Sequence, residues 1–327
     1  MPRMRFNFTS YIFFRLHFSH ALTLEPKVHN SFQFSRSVTE VEWSPDGKYM
    51  LVNLGIDLNH LNYSPRLNLI EVASGETVIV QKESEGTRNI NASGIGWLMD
   101  SKRFLTFQPD GTAYVWNLNG DITQEFDLDL KIHTCKMVPG QDAAIVSTKD
   151  GKVVIFTLED GQIRLLTTLE DQPTAMRISP DLHYVALPMK SDKNLCRQAQ
   201  ILILDFHSGT LLRTLASESF FNEDFVIMPS FFGPNYTILC TGSENGTVNY
   251  WDIETGEFIM AREEHSQHTG STVFHPSIPG FMASCGDDCH IFLWVTKDLG
   301  RELQEEDEKW LNSRRNSVLP IDIKKGW

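Results

Sequence analysis

Short β-rich runs that each end near a bulky side chain recur along this chain, and this repeat constrains the fold more than any other feature. The runs are Leu67-Asn68-Leu69-Ile70, Ala113-Tyr114-Val115-Trp116, Val153-Val154-Ile155-Phe156, Ile201-Leu202-Ile203-Leu204, Val248-Asn249-Tyr250-Trp251 and Ile291-Phe292-Leu293-Trp294. Their last positions lie roughly 40–48 residues apart, the spacing of four-stranded propeller blades with loop insertions. Two turn signals keep phase with them. Ahead of the bulky residue stands Asp110, Asp150, Asn245 or Asp288, three of them followed by glycine, as a tight hairpin with positive φ requires. Behind it comes Gly75, Gly120, Gly161, Gly209 or Gly256, which marks the next hairpin. Upstream, Val41-Glu42-Trp43-Ser44-Pro45-Asp46-Gly47 and Ile178-Ser179-Pro180-Asp181 show the opening strand and its turn. The units holding Ile70 and Leu204 lack the Asp-Gly pair, so residues 57–66 and 190–198 are expected to be lengthened loops.

The pattern predicts an all-β WD-repeat β-propeller of seven blades, the first incomplete. Residues 38–297 hold six complete blades, and 1–37 form a partial blade or an unstructured lead. In that partial blade, Ser10–Leu16 stands as the third strand and Ala21–Glu25 as the fourth. From residue 298 the period stops, and 298–327 read as a charged tail in which Arg314-Arg315-Asn316-Ser317 would suit a basophilic kinase.

Composition narrows the function classes. A net charge of −13 opposes the attraction that drives nucleic-acid binding, so no nucleic-acid partner is expected. The longest uncharged run near the N-terminus, Phe6 to Phe14, is too short to span a bilayer, and no membrane partner is expected. Five scattered cysteines, Cys135, Cys196, Cys240, Cys285 and Cys289, do not form a disulfide framework and point to a reducing compartment, the cytoplasm with the nucleus as a second location. Cys285, Cys289 and His290 lack the second paired set of a zinc site, and neither metal nor cofactor is expected.

A Ser-His-Asp set is present, but it repeats. His265, Ser284, Asp288 and Trp294 occupy the positions at which WD repeats build a buried hydrogen-bond chain. Thr106, Asp110 and Trp116 recur in the same phase, as do Thr241, Asn245 and Trp251. One active centre would not be copied from blade to blade, so these sets are read as scaffold and the chain as no enzyme. The candidates for contact with a partner are Phe220, Phe221, His133, Arg177 and His268, each in or beside a connection expected to face one rim.

Several segments together resemble a known family. Met228-Pro229-Ser230-Phe231-Phe232-Gly233-Pro234-Asn235 with Thr241-Gly242-Ser243-Glu244-Asn245-Gly246-Thr247, and Phe274-His275-Pro276 through Asp287-Asp288, are similar to the WD-repeat subunit of the GID/CTLH ubiquitin ligase. Gly96-Trp97-Leu98-Met99-Asp100-Ser101-Lys102-Arg103-Phe104 and Trp116-Asn117-Leu118-Asn119-Gly120 follow in matching order, so the resemblance runs from Val38 to Trp294. It implies a non-catalytic platform that binds ligase subunits or a substrate and so promotes proteasome-dependent degradation. The family's helical LisH and CTLH modules have no room here, so the expectation is a propeller-only or truncated relative. A generic WD-repeat scaffold is the alternative; an adaptor of cullin-type ligases fits less well, because Glu254 stands where Trp-Asp-x-Arg requires arginine.

Overall fold

The computed structural model describes residues 10–13, 30–34, 38–55, 67–79, 92–192, 197–263, 265–275, 280–288 and 290–295. They form an all-β propeller pattern of six blades within two compact units.

The first unit comprises residues 34–189 and 201–213. Its first blade is Val38–Trp43, Tyr49–Leu54, Leu67–Glu71 and Thr77–Ile79, and its second is Gly94–Trp97, Arg103–Phe107, Thr112–Asn117 and Ile122–Asp127. The third is Ile132–Met137, Ala143–Thr148, Lys152–Thr157 and Ile163–Thr168. The fourth, which runs a few residues past the unit's bounds, is Arg177–Ile178, Tyr184–Met189, Gln200–Asp205 and Leu211–Leu215. A strand covered on both faces is buried on both, as Ala143–Thr148 is at every position, its polar Ser147 and Thr148 being hydrogen-bonded to the Thr134 carbonyl and to Asp150. Outer strands such as Ile122–Asp127 are exposed and carry polar residues. Between the first and second blades, Leu51, Leu67 and Leu69 pack on Ile95, Phe104 and Trp116. Leu105, Phe107 and Val115 meet Ala144, Val146 and Phe156 one blade on, and Ile145 and Val153 meet Val185, Leu187 and Leu204 after that.

The second unit comprises residues 1–33, 190–200 and 214–327. It holds the fifth blade, Ser230–Phe232, Ile238–Thr241, Thr247–Asp252 and Phe258–Glu263, and the sixth, Thr269–Phe274, Phe281–Gly286 and Ile291–Val295, with three strands among the described residues. Cys240, Val248 and Tyr250 pack against Met282 and Trp294 between them.

The expected seventh blade is corrected to six. Ser10–Phe13 is a strand, as its aromatic and β-branched residues favour, but it pairs antiparallel with Asn30–Gln33 in a separate two-stranded sheet. Local pairing has taken the strand edge that a blade would have used. The expected partner, residues 21–25, lies outside the described residues, as do residues 296–327 of the expected tail. Residues 56–66 also lie outside them, whereas the other lengthened loop closes on a bridge between Asp192 and Arg197.

Candidate protein-docking site

The sixth blade contains the complete polar relay. Trp294 donates its indole N–H to Ser284 Oγ at 2.8 Å, and Ser284 Oγ stands 2.9 Å from His265 Nε2. His265 Nδ1 lies 3.0 Å from Asp288 Oδ1, which also accepts the His290 amide at 3.1 Å, while Asp288 Oδ2 accepts the Ser266 amide. The serine hydroxyl can therefore donate to Nε2, leaving Nδ1–H for the carboxylate. Burial pushes the Asp288 carboxyl up, but the His265 ring and the two amides outweigh it and hold it below its usual range. Ser284 is buried and its oxygen is already engaged by Trp294, so this set ties a loop to a strand and presents no nucleophile.

The other two sets are only partly assembled. In the second blade, Trp116 donates to Thr106 Oγ1 at 3.0 Å, but Asp110 serves its own hairpin by accepting the Thr112 amide. In the fifth blade the expected link is absent: Trp251 donates to the Ala216 carbonyl at 3.3 Å, and the buried Thr241 Oγ1 has no hydrogen-bond partner. Asn245 instead accepts the Thr247 amide and donates to the Ser219 carbonyl at 3.2 Å, a donation that an aspartate could not make.

This altered fifth blade organises the loop of residues 217–228. Phe220, a candidate for partner contact, is only 3% exposed and stands edge-on to Trp251 with ring centroids 5.7 Å apart. It is corrected to a core residue that fills the space beside the indole. Phe221 is 44% exposed, and Phe225 at 48% and Val226 at 56% join it, which corrects for these two the expectation that the apolar run Phe225-Val226-Ile227-Met228 is core strand. His268 lies under Phe225, their rings stacked at 4.5 Å, and its Nδ1 is 3.4 Å from Asp287 Oδ2. His133 and Arg177 are half-buried on strands of the first unit, so they do not belong to this loop cluster.

The loop is fixed although Phe221, Phe225 and Val226 are exposed. The Ser219 carbonyl accepts from Ser243 Oγ, Asn245 Nδ2 and Thr247 Oγ1, and Ser243 Oγ accepts the Phe221 amide at 2.9 Å. Farther along, Glu244 Oε1 accepts three successive amides, Glu223 at 2.7 Å, Asp224 at 2.7 Å and Phe225 at 2.9 Å. All of these anchors come from the hairpin that joins the second and third strands of the blade. In it, Gly246 takes φ +87° and a Cβ there would overlap the His265 carbonyl, which is why glycine follows Asn245.

The first unit also holds a charged cluster that no local spacing in the sequence signals. Lys136, on the opening strand of the third blade, reaches Glu40 and, at 2.6 Å, Glu42 on the opening strand of the first. Glu40 in turn accepts the Ile95 amide of the intervening blade at 3.0 Å. Gly94 and Gly96 make the reach possible, since a Cβ on either would overlap Cys135 Sγ or the Met137 side chain. Burial alone would push the Lys136 ammonium down, but Glu40 and Glu42 raise it to about 12, whereas burial leaves the Glu40 carboxyl raised. The cluster ties three strands together and is read as structural.

Comparison with known proteins follows the repeat. Residues 226–252 match the family "WD domain, G-beta repeat". The chain is 23% identical over 208 residues to "GID complex subunit 7" of Schizosaccharomyces pombe, covering 62% of this chain and 39% of that one. It is 23% identical over 285 residues to "WD repeat-containing protein 26 homolog" of Drosophila melanogaster, covering 87% of this chain and 42% of the relative. With "WD repeat-containing protein WDS homolog" of Arabidopsis thaliana it shares 23% over 279 residues, 81% of this chain and 48% of the relative. The chain thus spans less than half the length of these relatives. With the repeat matched and the blades in place, this is a WD-repeat protein of the β-propeller class.

Proposed function

We propose that the chain is a non-catalytic docking platform that presents a substrate or a fellow subunit within a GID/CTLH-type ubiquitin ligase, in the cytoplasm and nucleus. One observation carries the docking part: Phe221, Phe225 and Val226 are exposed on a loop whose backbone is tied down by Ser243, Glu244 and Asn245. A loop left to itself would turn such side chains inward, so a fixed apolar surface marks a contact site. The ligase part is supported by the ordered resemblance from Val38 to Trp294 and by distant similarity to a protein named as a GID subunit.

Affinity purification of the chain from its native cells, with mass spectrometry, tests the reading. Co-purification of RING- and CTLH-type subunits, weakened by Phe221→Asp and Phe225→Asp, is the expected outcome. Recovery of a stable complex without any such subunit would replace the ligase reading by that of a scaffold in another assembly.

A further inference from the structure

The sixth blade leaves bare a strand edge that the other five cover. In those five the third strand is followed by a fourth, and the residue three places before the bulky position, Leu67, Ala113, Val153, Ile201 or Val248, is fully buried. In the sixth, the sheet ends at its third strand, Ile291–Val295, among the described residues, and Ile291 at the matching position is 40% exposed. The edge has the chemistry of a blade interior. Ile291-Phe292-Leu293-Trp294-Val295 holds no charge and no proline, whereas four of the five fourth strands carry charge: Glu125 and Asp127, Arg164, Arg213, and Arg262 with Glu263. Such charges keep an open edge from pairing with another, and here they are missing. The sequence that follows offers no matching fourth strand, since Glu302 stands two residues after Gly300 where Ile122, Ile163, Leu211 and Phe258 follow their glycines. Ser10–Phe13 is already paired with Asn30–Gln33.

We propose that this edge pairs with the same edge of a second copy of the chain: two Ile291–Val295 strands lie antiparallel about a two-fold axis at Phe292, and the two sixth blades become one continuous sheet. Charge singles out the second copy as the occupant. An acidic hairpin, Asp287-Asp288, stands at the start of the strand, and Lys297 lies two residues past its end. Antiparallel pairing brings each acidic turn to the Lys297 end of the other copy, so two equivalent attractions form together; parallel pairing would set like charges side by side. With Phe292 on the axis, the exposed Ile291 meets Leu293 of the other copy, and positions 287 and 297 fall opposite one another. The Asp287 side chain is 49% exposed, and its link to His268 Nδ1 is long, at 3.4 Å. Asp288 is engaged by His265 inside the relay and takes no part. The pairing uses none of Phe221, Phe225 and Val226, so it stands independently of the docking site.

Sedimentation velocity of the full chain over a concentration series tests the pairing. Wild type should dimerise reversibly in the micromolar range. Ile291→Lys, which charges an exposed position of the edge, should be monomeric with its melting temperature unchanged. Asp287→Lys and Lys297→Asp each create two like-charge contacts across the axis, and each should raise the dimer Kd at least about tenfold. Mixed in equal amounts, these two variants form a heterodimer in which both contacts are again opposite in sign, so the mixture should return to near the wild-type Kd. A monomeric wild type, or a dimer that survives Ile291→Lys, overturns the proposal. Should Ile291→Lys lower the melting temperature, the charge variants carry the test alone. Dimerisation of either charge variant as tight as wild type overturns the pairing, and so does a mixture no tighter than its folded components.

Discussion

At the scale of single residues, two charged groups leave opposite marks on stability. The Asp288 carboxyl sits below its usual value in the folded chain, so its contribution is complete above the ordinary carboxyl range near ~3.9 and is lost as pH falls through the lower folded value. Lys136 is raised to about 12, so its share is complete below the ordinary lysine value near ~10.4 and is lost as pH climbs through the folded one. A urea-midpoint profile across pH should therefore fall at both ends. His265→Ala should lower the plateau by about 2 kcal/mol and flatten the acid limb, whereas Lys136→Met should flatten the alkaline limb. Glu40, raised by burial, works against the acid limb in both proteins, so the difference between them isolates Asp288. A His265→Ala profile parallel to wild type would mean that the relay carries none of the acid sensitivity. The relay was legible because its residues sit at fixed phase in a repeat. The Lys136 cluster was not, since Glu40 and Lys136 are joined only by the packing of three blades, which no local spacing records.

At the scale of the blade, one pair of neighbours separates core from surface. Phe220 and Phe221 adjoin in sequence and carry the same side chain, yet the first is buried against Trp251 and the second stands in solvent. Phe220→Ala should cost about 3–5 kcal/mol in thermal or denaturant unfolding, and Phe221→Ala less than about 0.5. Equal losses would show that the loop packs differently from this account. Sequence placed both on one connection correctly, but hydrophobicity cannot say which ring turns inward. In the structure the Trp251 indole N–H reaches Ala216 and not Thr241, and the Phe220 ring stands edge-on beside that indole, an arrangement that local sequence does not record. The signal was nonetheless present in part: Phe225 and Val226 open the apolar run Phe225-Val226-Ile227-Met228, which ends before the short following strand Ser230–Phe232 begins.

At the scale of the whole molecule, the thiols report how firmly the blades are packed. Cys135 and Cys240 are buried and Cys285 reaches the surface; burial raises all three thiols, Cys240 to about 12. Among the described cysteines, native-state alkylation read by mass spectrometry should modify Cys285 ahead of Cys135 and Cys240, which stay protected until denaturant opens their units. Early modification of Cys240 would reveal a loosely packed fifth blade. The repeat made the six blades readable in the chain, because strand, turn and glycine recur together. It overreached at the N-terminus, where a strand-forming run says nothing about which edge the strand will meet, and Ser10–Phe13 found a local one. The tie between Glu244 and its loop has a last consequence for how such a molecule changes over generations. Because the loop's path is set by a hairpin that lies outside it, residues 221, 225 and 226 can be exchanged without redrawing that path. If the loop docks a partner as proposed, lineages can trade one binding specificity for another while the fold underneath stays as it was.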